Sequence, residues 1–190
     1  DLPVIIGISM YVWTEILPPP HVKEGYSAWV SGPGKALCRK PERVYEKLDY
    51  RDEGDKAVLV LQPRERILPN EEVAESLAKA CGVNPEDLYL IVTPTYSITG
   101  SVQVSARTLE DGFWRLAEYY GISYDRIEQM MTITPISPIS PRVFREPCAW
   151  ADDMIRHGGV LHAWVKSVEG EDLQRIAEEM VVENNPSSFG

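Results

Sequence analysis

The sequence predicts an α/β fold, and a mixed α+β arrangement remains open. Short apolar runs typical of strands alternate with segments of helical periodicity along the chain. One run, residues 57–61, is apolar at every position, which is typical of a strand covered on both faces. With 190 residues, 44% of them hydrophobic, the chain can bury one substantial core or two small ones. Residues 1–190 are treated as a single region, because the composition resolves no internal boundary.

The N-terminal half is predicted to contain two strands and two helices. In chain order the elements are a strand at 2–8, a proline-rich loop at 18–21, a tight turn at 31–34 leading into a helix that ends near residue 48, a strand at 57–61 and a helix at 70–82. Asn70 is a favourable N-cap, because its side chain can accept a hydrogen bond from the first turn of the last helix. Gly82 can adopt the left-handed conformation in which many helices end.

The C-terminal half continues the alternation. Its predicted elements are a strand at 87–92, a helix at about 102–120, an extended or turning segment at 134–141, a strand at 158–165 and an amphipathic helix at 171–180. Gly121 is expected to end the long helix. Three prolines, at 135, 138 and 141, exclude regular helix from the segment that contains them.

Charge and cysteine content narrow the class of protein. The formal net charge of −10 argues against a nucleic-acid surface, which needs clustered Lys and Arg. No run approaches the ~20 apolar residues of a membrane span, and the run at 2–8 lacks the basic flank of a signal peptide. Cys38, Cys81 and Cys148 form no CxxC pair, so inert thiols in a reducing compartment are expected. These features predict a cytoplasmic protein. Because Asp1 is not an initiator methionine, we expect that the true N-terminus was removed, is missing, or was never part of this sequence.

One predicted helix carries a separate polar face. At 100° per residue, Gln103, Arg107 and Glu110 lie together, away from an apolar stripe centred on Leu109. Arg107 and Glu110 are three residues apart, within reach of each other. Helical geometry alone favours an exposed ion pair worth a few tenths of a kcal/mol. Their position, shortly after a strand and a Gly100–Ser entry into the helix, instead favours a ligand site.

Other patterns are less informative. The turn at 31–34 could offer backbone N–H groups to an anion, but a plain turn is favoured. His157 and His162 are five apart, and no third ligand is evident, so a metal site is not expected. No nucleophile elbow, phosphate-binding loop or dinucleotide fingerprint occurs.

Several stretches, in order along nearly the whole chain, resemble the methenyltetrahydromethanopterin cyclohydrolase family. They lie at residues 1–3, 23–26, 31–37, 94–110, 135–138, 152–154, 158–159 and 186–190. The most specific is the block at 100–110, Gly-Ser-Val-Gln followed by Arg-x-x-Glu.

The resemblance implies an enzyme that reversibly hydrolyses 5,10-methenyltetrahydromethanopterin to the 5-formyl compound. It also implies a two-domain α/β fold with an active-site cleft, a homotrimer, and no metal or organic cofactor. The matching positions predict that Arg107 and Glu110 are catalytic. The resemblance points to Lys23 as part of the substrate cleft, and the further predicted substrate-binding residues are Ser31, Gly32, Thr95, Ser101 and Gln103. An ionised Glu110 could attract the cationic substrate and act as general base, while Arg107 would orient it.

The chain also departs from the family pattern. It lacks the family's N- and C-terminal flanks and is shorter between Tyr26 and Ser31. Residues 132–134, Thr-Ile-Thr, replace the usual Gly-Arg-Cys, and Ala106 replaces a Gly. These departures keep an alternative open: a catalytically divergent or inactive pterin-binding subunit of a one-carbon enzyme assembly. A related folate substrate is a third possibility.

Overall fold

The computed structural model of the protein describes residues 26, 28–40, 42–48, 50–63, 67–94, 96–139 and 146–184. The strand predicted at 2–8 and the loop at 18–21 lie outside these residues.

The first half of the described chain is built on a three-stranded sheet. Its strands are β1 (Ala28–Ser31), β2 (Ala57–Pro63) and β3 (Leu88–Val92), in the order β1-β2-β3. β1 is antiparallel to β2, whereas β3 is parallel to it. The predicted strands at 57–61 and 87–92 are therefore confirmed, and β2 takes the central position expected of a continuously apolar run.

Three helices accompany this sheet: α1 (Lys35–Cys38), α2 (Glu42–Lys47) and α3 (Glu71–Cys81), which connects the parallel pair. The predicted limits of α3 are confirmed. Asn70 Oδ1 accepts a hydrogen bond from the Val73 N–H at 3.0 Å, and Gly82 ends the helix with φ at 71°. The predicted turn at 31–34 and the helical segment after it are also confirmed, although that segment is split into α1 and α2.

The second half combines four helices with a two-stranded sheet. The elements are α4 (Ile98–Ser105), α5 (Thr108–Trp114) with a π-helical continuation (Arg115–Tyr119), β4 (Ile127–Ile133), α6 (Glu146–Gly158), β5 (Val160–Val165) and α7 (Leu173–Glu179). β4 and β5 pair antiparallel. The predicted strand at 158–165 and helix at 171–180 are confirmed, whereas β4 and α6 were not predicted.

Two hydrophobic clusters stabilise these layers. The first lies between the three-stranded sheet and α3, and includes Leu59, Leu61, Val73 and Leu77, each 0% exposed. The second surrounds α5 and the two-stranded sheet, with members such as Tyr45, Phe113, Leu116, Ile122, Tyr124, Ile127 and Ile176. α1 lies between the two clusters. Its Ala36 belongs to the second, while Leu37 and Cys38 pack against the first.

The combination of a parallel strand pair, antiparallel pairs and packed helices confirms the mixed α/β class. The division into two domains stays a prediction. Within the described ranges, no helix has both the length and the apolar character that crossing a membrane requires.

Candidate active site

The long helix predicted at 102–120 is wrong at its centre. α4 ends at Ser105 and α5 begins at Thr108, with a tight turn in between in which the Arg107 N–H donates to the Val104 carbonyl at 2.9 Å. The Thr108 hydroxyl donates to the Ser105 carbonyl at 3.0 Å. In a continuous helix this carbonyl would instead accept a hydrogen bond from a backbone N–H. Ala106 has φ at −65°, a conformation open to any residue, so the turn does not require the family's Gly at this position.

The break changes the surroundings of Arg107 and Glu110. Arg107 Nε lies 3.4 Å from Glu110 Oε2, and Arg107 Nη2 lies 3.5 Å from Oε1. Their side chains are only 13% and 4% exposed. The interpretation of the pair as an exposed surface contact is therefore wrong. Glu110 points inward, and Leu109, expected at the centre of the apolar stripe, is only partly buried.

The geometry of the pair leaves the carboxylate capable of further interactions. Both nitrogen–oxygen distances exceed the 2.7–2.9 Å typical of tight charge-assisted hydrogen bonds. The guanidinium group of Arg107 thus faces both carboxylate oxygens of Glu110 without making a short hydrogen bond to either. A carboxylate has about four acceptor positions, so the two contacts with Arg107 do not use all of those on Glu110. This is an arrangement in which an oriented carboxylate could take a proton from water.

Lys35 is a charged residue of this region that sequence reasoning missed. It is the first residue of α1, it is 0% exposed, and its Nζ atom is shielded from solvent. Burial lowers the pKa of Lys35 from 10.5 to about 7; Glu110 opposes that shift, and Arg107 adds to it. The available signal was a single charge directly after the turn at 31–34, within an otherwise apolar segment.

The charge of Arg107 also acts on acidic groups of α5 and α6. Its charge acts on the carboxyl groups of Asp111 and Asp152, which repel each other, and Arg156 acts on both as well. Arg107 therefore acts both on the buried Glu110 and on a more exposed group of charges, formed by Asp111 of α5 and by Asp152 and Arg156 in the second half of α6.

Ser101 and Gln103 make hydrogen bonds within the chain. Ser101 Oγ donates to the Ser137 carbonyl at 2.8 Å and lies 2.9 Å from Ser137 Oγ. Gln103 Nε2 donates to Gln62 Oε1, at the end of β2. These contacts tie α4 to the 134–139 segment and to the three-stranded sheet. Both side chains thus fix the elements on which Arg107 and Glu110 are carried.

Ser31 and Gly32 lie where β1 leads into α1. Ser31 is partly buried and pairs with Val60 of β2. Gly32 has φ at 103°, and a Cβ there would lie 3.0 Å from the Val58 carbonyl oxygen, so glycine is required. The Gly34 N–H donates to that same carbonyl at 2.9 Å, which agrees with a plain turn. Lys23 and Thr95 lie outside the described residues.

The Thr-Ile-Thr run at 132–134 reaches the same site. Thr134 Oγ1 donates to Thr108 Oγ1 at 2.5 Å. Thr108 follows Arg107 directly and begins α5. The departure from the family pattern therefore lies where it can influence the orientation of Arg107, through a hydrogen bond that anchors the start of the helix.

A cavity of about 1170 Å³ opens on the neighbouring face of α5, lined by Thr108, Asp111, Asp152 and Trp164 among others. Neither Arg107 nor Glu110 lines it. The assignment of the site rests on the burial and charge of the pair, and not on this cavity. Among the residues that the structure describes, no three His, Cys, Asp or Glu side chains gather into a group that could hold a metal ion.

Comparisons with known proteins identify a protein family and several named relatives. The model of the family described as "Cyclohydrolase (MCH)" matches residues 21–190. The methenyltetrahydromethanopterin cyclohydrolase of Methanocaldococcus jannaschii is 39% identical over 160 residues, which cover 84% of this chain and 49% of the relative. The protein of that name from Methanothermobacter marburgensis is 35% identical over 150 residues, covering 79% and 46%. The one from Methanococcus maripaludis is 36% identical over 155 residues, covering 82% and 47%.

The chain spans about half the length of these curated relatives. The family match itself extends over most of the chain. It includes α1, which carries Lys35, the turn that carries Arg107, and α5, which carries Glu110. On this evidence the chain belongs to the cyclohydrolase (MCH) family.

Proposed function

We propose that the protein is a methenyltetrahydromethanopterin cyclohydrolase, in which Glu110 is the general base and Arg107 orients it. The observation that supports this most strongly is the burial of the Arg107–Glu110 pair, at 13% and 4% exposure. An ion pair that served only the surface would have no reason to lose its hydration. The relatives that carry this name add independent support.

The chemistry of the reaction fits such a pair. The methenyl bridge of the substrate is a cationic amidinium, and its carbon is the electrophile. The oxygen of a water molecule bonds to that carbon while one of its protons passes to Glu110. The second proton of that water is released as the hydroxyl becomes the formyl carbonyl and the bond from carbon to the second nitrogen breaks. The proton taken up by Glu110 then passes to the departing nitrogen, so methenyl cation and water yield formyl product and one proton.

Glu110 and Arg107 contribute in different ways. The negative charge of Glu110 attracts the cation and takes the proton of the attacking water. Arg107 holds the carboxylate through both oxygens, and its guanidinium can donate to the oxygen on which charge develops. Because a cation beside a carboxylate weakens it as a base, we expect orientation and charge placement to supply much of the rate.

The remaining features form part of the same proposal. Lys23, Ser31, Gly32, Thr95, Ser101 and Gln103 would line or shape the substrate site. The reaction would need neither metal nor organic cofactor, and the protein would act in the cytoplasm as a homotrimer. All steps above use only water and groups of the protein.

Turnover of the substrate separates the enzyme from a pterin-binding subunit. Purified protein should consume the methenyl compound, seen as loss of its near-ultraviolet absorbance, faster than buffer does. Calorimetry with the 5-formyl compound gives binding on the same preparation. Binding without turnover would support the non-catalytic alternative, and failure of both would remove the proposed function. A parallel assay with the tetrahydrofolate analogue determines which of the two pterin carriers the enzyme accepts.

A further inference from the structure

Two cysteines that are far apart in the sequence lie side by side in the fold. Cys38 is the last residue of α1, and Cys81 is the last residue of α3. The two helices contact each other. Cys81 belongs to the hydrophobic cluster between the three-stranded sheet and α3, and Cys38 packs against that cluster. The spacing of the cysteines along the chain does not reveal this contact.

The two sulfur atoms converge on one backbone oxygen. Cys38 Sγ lies 3.5 Å from the Gly34 carbonyl oxygen, and Cys81 Sγ lies 3.6 Å from the same atom. A hydrogen bond also joins the two thiols directly. The Cys38 thiol has the Lys35 carbonyl as a further acceptor, at 3.5 Å. Side chains that meet at one atom point toward each other, which is the orientation that a disulfide bond requires.

A small cavity opens beside the pair. Its volume is about 360 Å³, whereas a water molecule takes up about 30 Å³ of the liquid. The residues that line it come from α1, from the end of α3 and from the chain at 51–54, and they include Leu37 and Cys81. Cys38 is itself only partly buried. A molecule as small as hydrogen peroxide can therefore reach both thiols.

The two thiols differ in reactivity. The hydrogen bond with Cys81 lowers the pKa of Cys38, although burial opposes that shift. The same hydrogen bond, together with burial, raises the pKa of Cys81. Because the thiolate is the nucleophile, Cys38 is the thiol that reacts first with an oxidant. Cys81 is then placed to react with the oxidised sulfur of Cys38.

We propose that Cys38 and Cys81 form a site of oxidative modification, at which hydrogen peroxide converts the two thiols into a reversible disulfide between α1 and α3. The Cys38 sulfur attacks one oxygen of the peroxide, the O–O bond breaks, and a sulfenic acid and one water molecule form. The Cys81 sulfur then attacks the Cys38 sulfur, and the S–O bond breaks with release of a second water molecule. Both thiol protons end in water, the two sulfurs are oxidised and the peroxide is reduced. A dithiol reverses the modification by thiol–disulfide exchange.

Peptide mapping of the full chain tests this site directly. Reduced, folded protein that is treated with hydrogen peroxide should give, on digestion without reductant, one pair of peptides joined through Cys38 and Cys81. The mass of this pair should be that of the two peptides less two hydrogen atoms, and a dithiol should separate them again. If both cysteines can still be alkylated after the treatment, or if either is joined to Cys148 instead, the proposal is wrong.

Three variants test the roles of the two thiols. Cys148→Ser is the matched control, and it should form the disulfide as readily as the wild type. Cys81→Ser should stop at a sulfenic acid on Cys38, which a 1,3-dione reagent traps. Cys38→Ser should react with peroxide about tenfold more slowly than Cys81→Ser, because it lacks the more reactive thiol. A faster reaction in Cys38→Ser would overturn the assigned order of the two steps.

Unfolding the protein tests whether the fold selects the pair. In concentrated urea the contact between α1 and α3 is lost, so peroxide should join all three cysteines in mixed pairs. The same exclusive pair in folded and unfolded protein would contradict the role of the folded contact. Because none of these experiments uses a pterin, their outcome is independent of the proposed cyclohydrolase activity.

Discussion

Replacing Lys35 by methionine should stabilise the protein, and by an amount that depends on pH. The side chain is fully buried, and its pKa falls from 10.5 to about 7 on folding. Between these two values the unfolded chain binds more protons than the folded protein, so stability rises with pH in this window. Below pH 7 the destabilisation from Lys35 is complete, and above 10.5 it is gone.

The size of the effect follows from the same two values. A drop from 10.5 to about 7 corresponds to on the order of 5 kcal/mol of lost unfolding free energy at acidic pH. Lys35→Met also removes one cation near Glu110, but Arg107 still faces both carboxylate oxygens, so the buried carboxylate keeps a partner. We therefore expect a net gain of about 1–4 kcal/mol at pH 6.

Denaturant unfolding of wild type and Lys35→Met at pH 6 and pH 9 measures this directly. The advantage of the variant should shrink by about 2–3 kcal/mol between the two values, independently of any packing change that the methionine introduces. Lys47→Met should show a small difference from wild type that is the same at both values, because Lys47 is solvent-exposed. A gap between wild type and Lys35→Met that does not change with pH would refute the reasoning.

Three further predictions concern stability, each read from denaturant midpoints. Asn70→Ala removes the cap of α3 and should lower unfolding free energy by about 1 kcal/mol, and a change under ~0.2 kcal/mol would contradict the capping role. Gly100→Ala places a Cβ 2.1 Å from the Pro94 carbonyl oxygen and should lower the unfolding free energy by more than about 3 kcal/mol. Gly82→Ala, whose Cβ meets nothing within 4 Å but whose φ is +71°, should lose only about 1–2 kcal/mol. Equal losses in the two variants would contradict the close approach of Pro94 to Gly100. Ser101→Ala should lose about 1–3 kcal/mol, since it leaves buried groups of Ser137 without their partner, and a neutral result would show that water replaces it.

Elements specified by local chemistry could be predicted from the sequence. The limits of α3 follow from Asn70 and Gly82, whose capping contacts involve only residues a few positions away. The end of the long helical region at Gly121, with φ at 72°, has the same local origin. β2 could be predicted because a run in which every residue is apolar is typical of a central strand that is covered on both faces.

Elements that depend on distant partners could not be predicted. The sequence of β4, Ile-Glu-Gln-Met-Met-Thr-Ile, shows no alternation of apolar and polar residues, although burial alternates from Gln129 to Ile133 beyond the irregularity at its start. Its described pairing is with β5, about thirty residues later. α6 follows the proline-rich segment, and although Pro147 stands in its first turn, its packing partner α4 lies much earlier in the chain. Both gaps in the prediction arise because tertiary contacts, and not the local pattern, stabilise these segments.

The candidate site was predicted in part. Arg107 and Glu110 were singled out correctly as neighbours, since residues three apart meet on any helical turn. Their burial could not be predicted, because the break between α4 and α5 turns Glu110 inward. A helical-wheel projection, which assumes one continuous helix with 100° per residue, does not include such a break. Lys35 was missed because its charge acts on Glu110 only in the folded chain, where residues distant in sequence come together.

The most direct test of the central claim is the turnover number of Glu110→Gln with the methenyl substrate, beside that of Glu128→Gln. Glutamine keeps the shape of the side chain and removes its capacity to take a proton. We predict that kcat falls about 10²–10⁴-fold in Glu110→Gln, as expected on loss of a general base. Glu128, which is 54% exposed on β4, should tolerate the same change with kcat close to wild type. If Glu110→Gln turns over as fast as Glu128→Gln, the buried carboxylate is not the base.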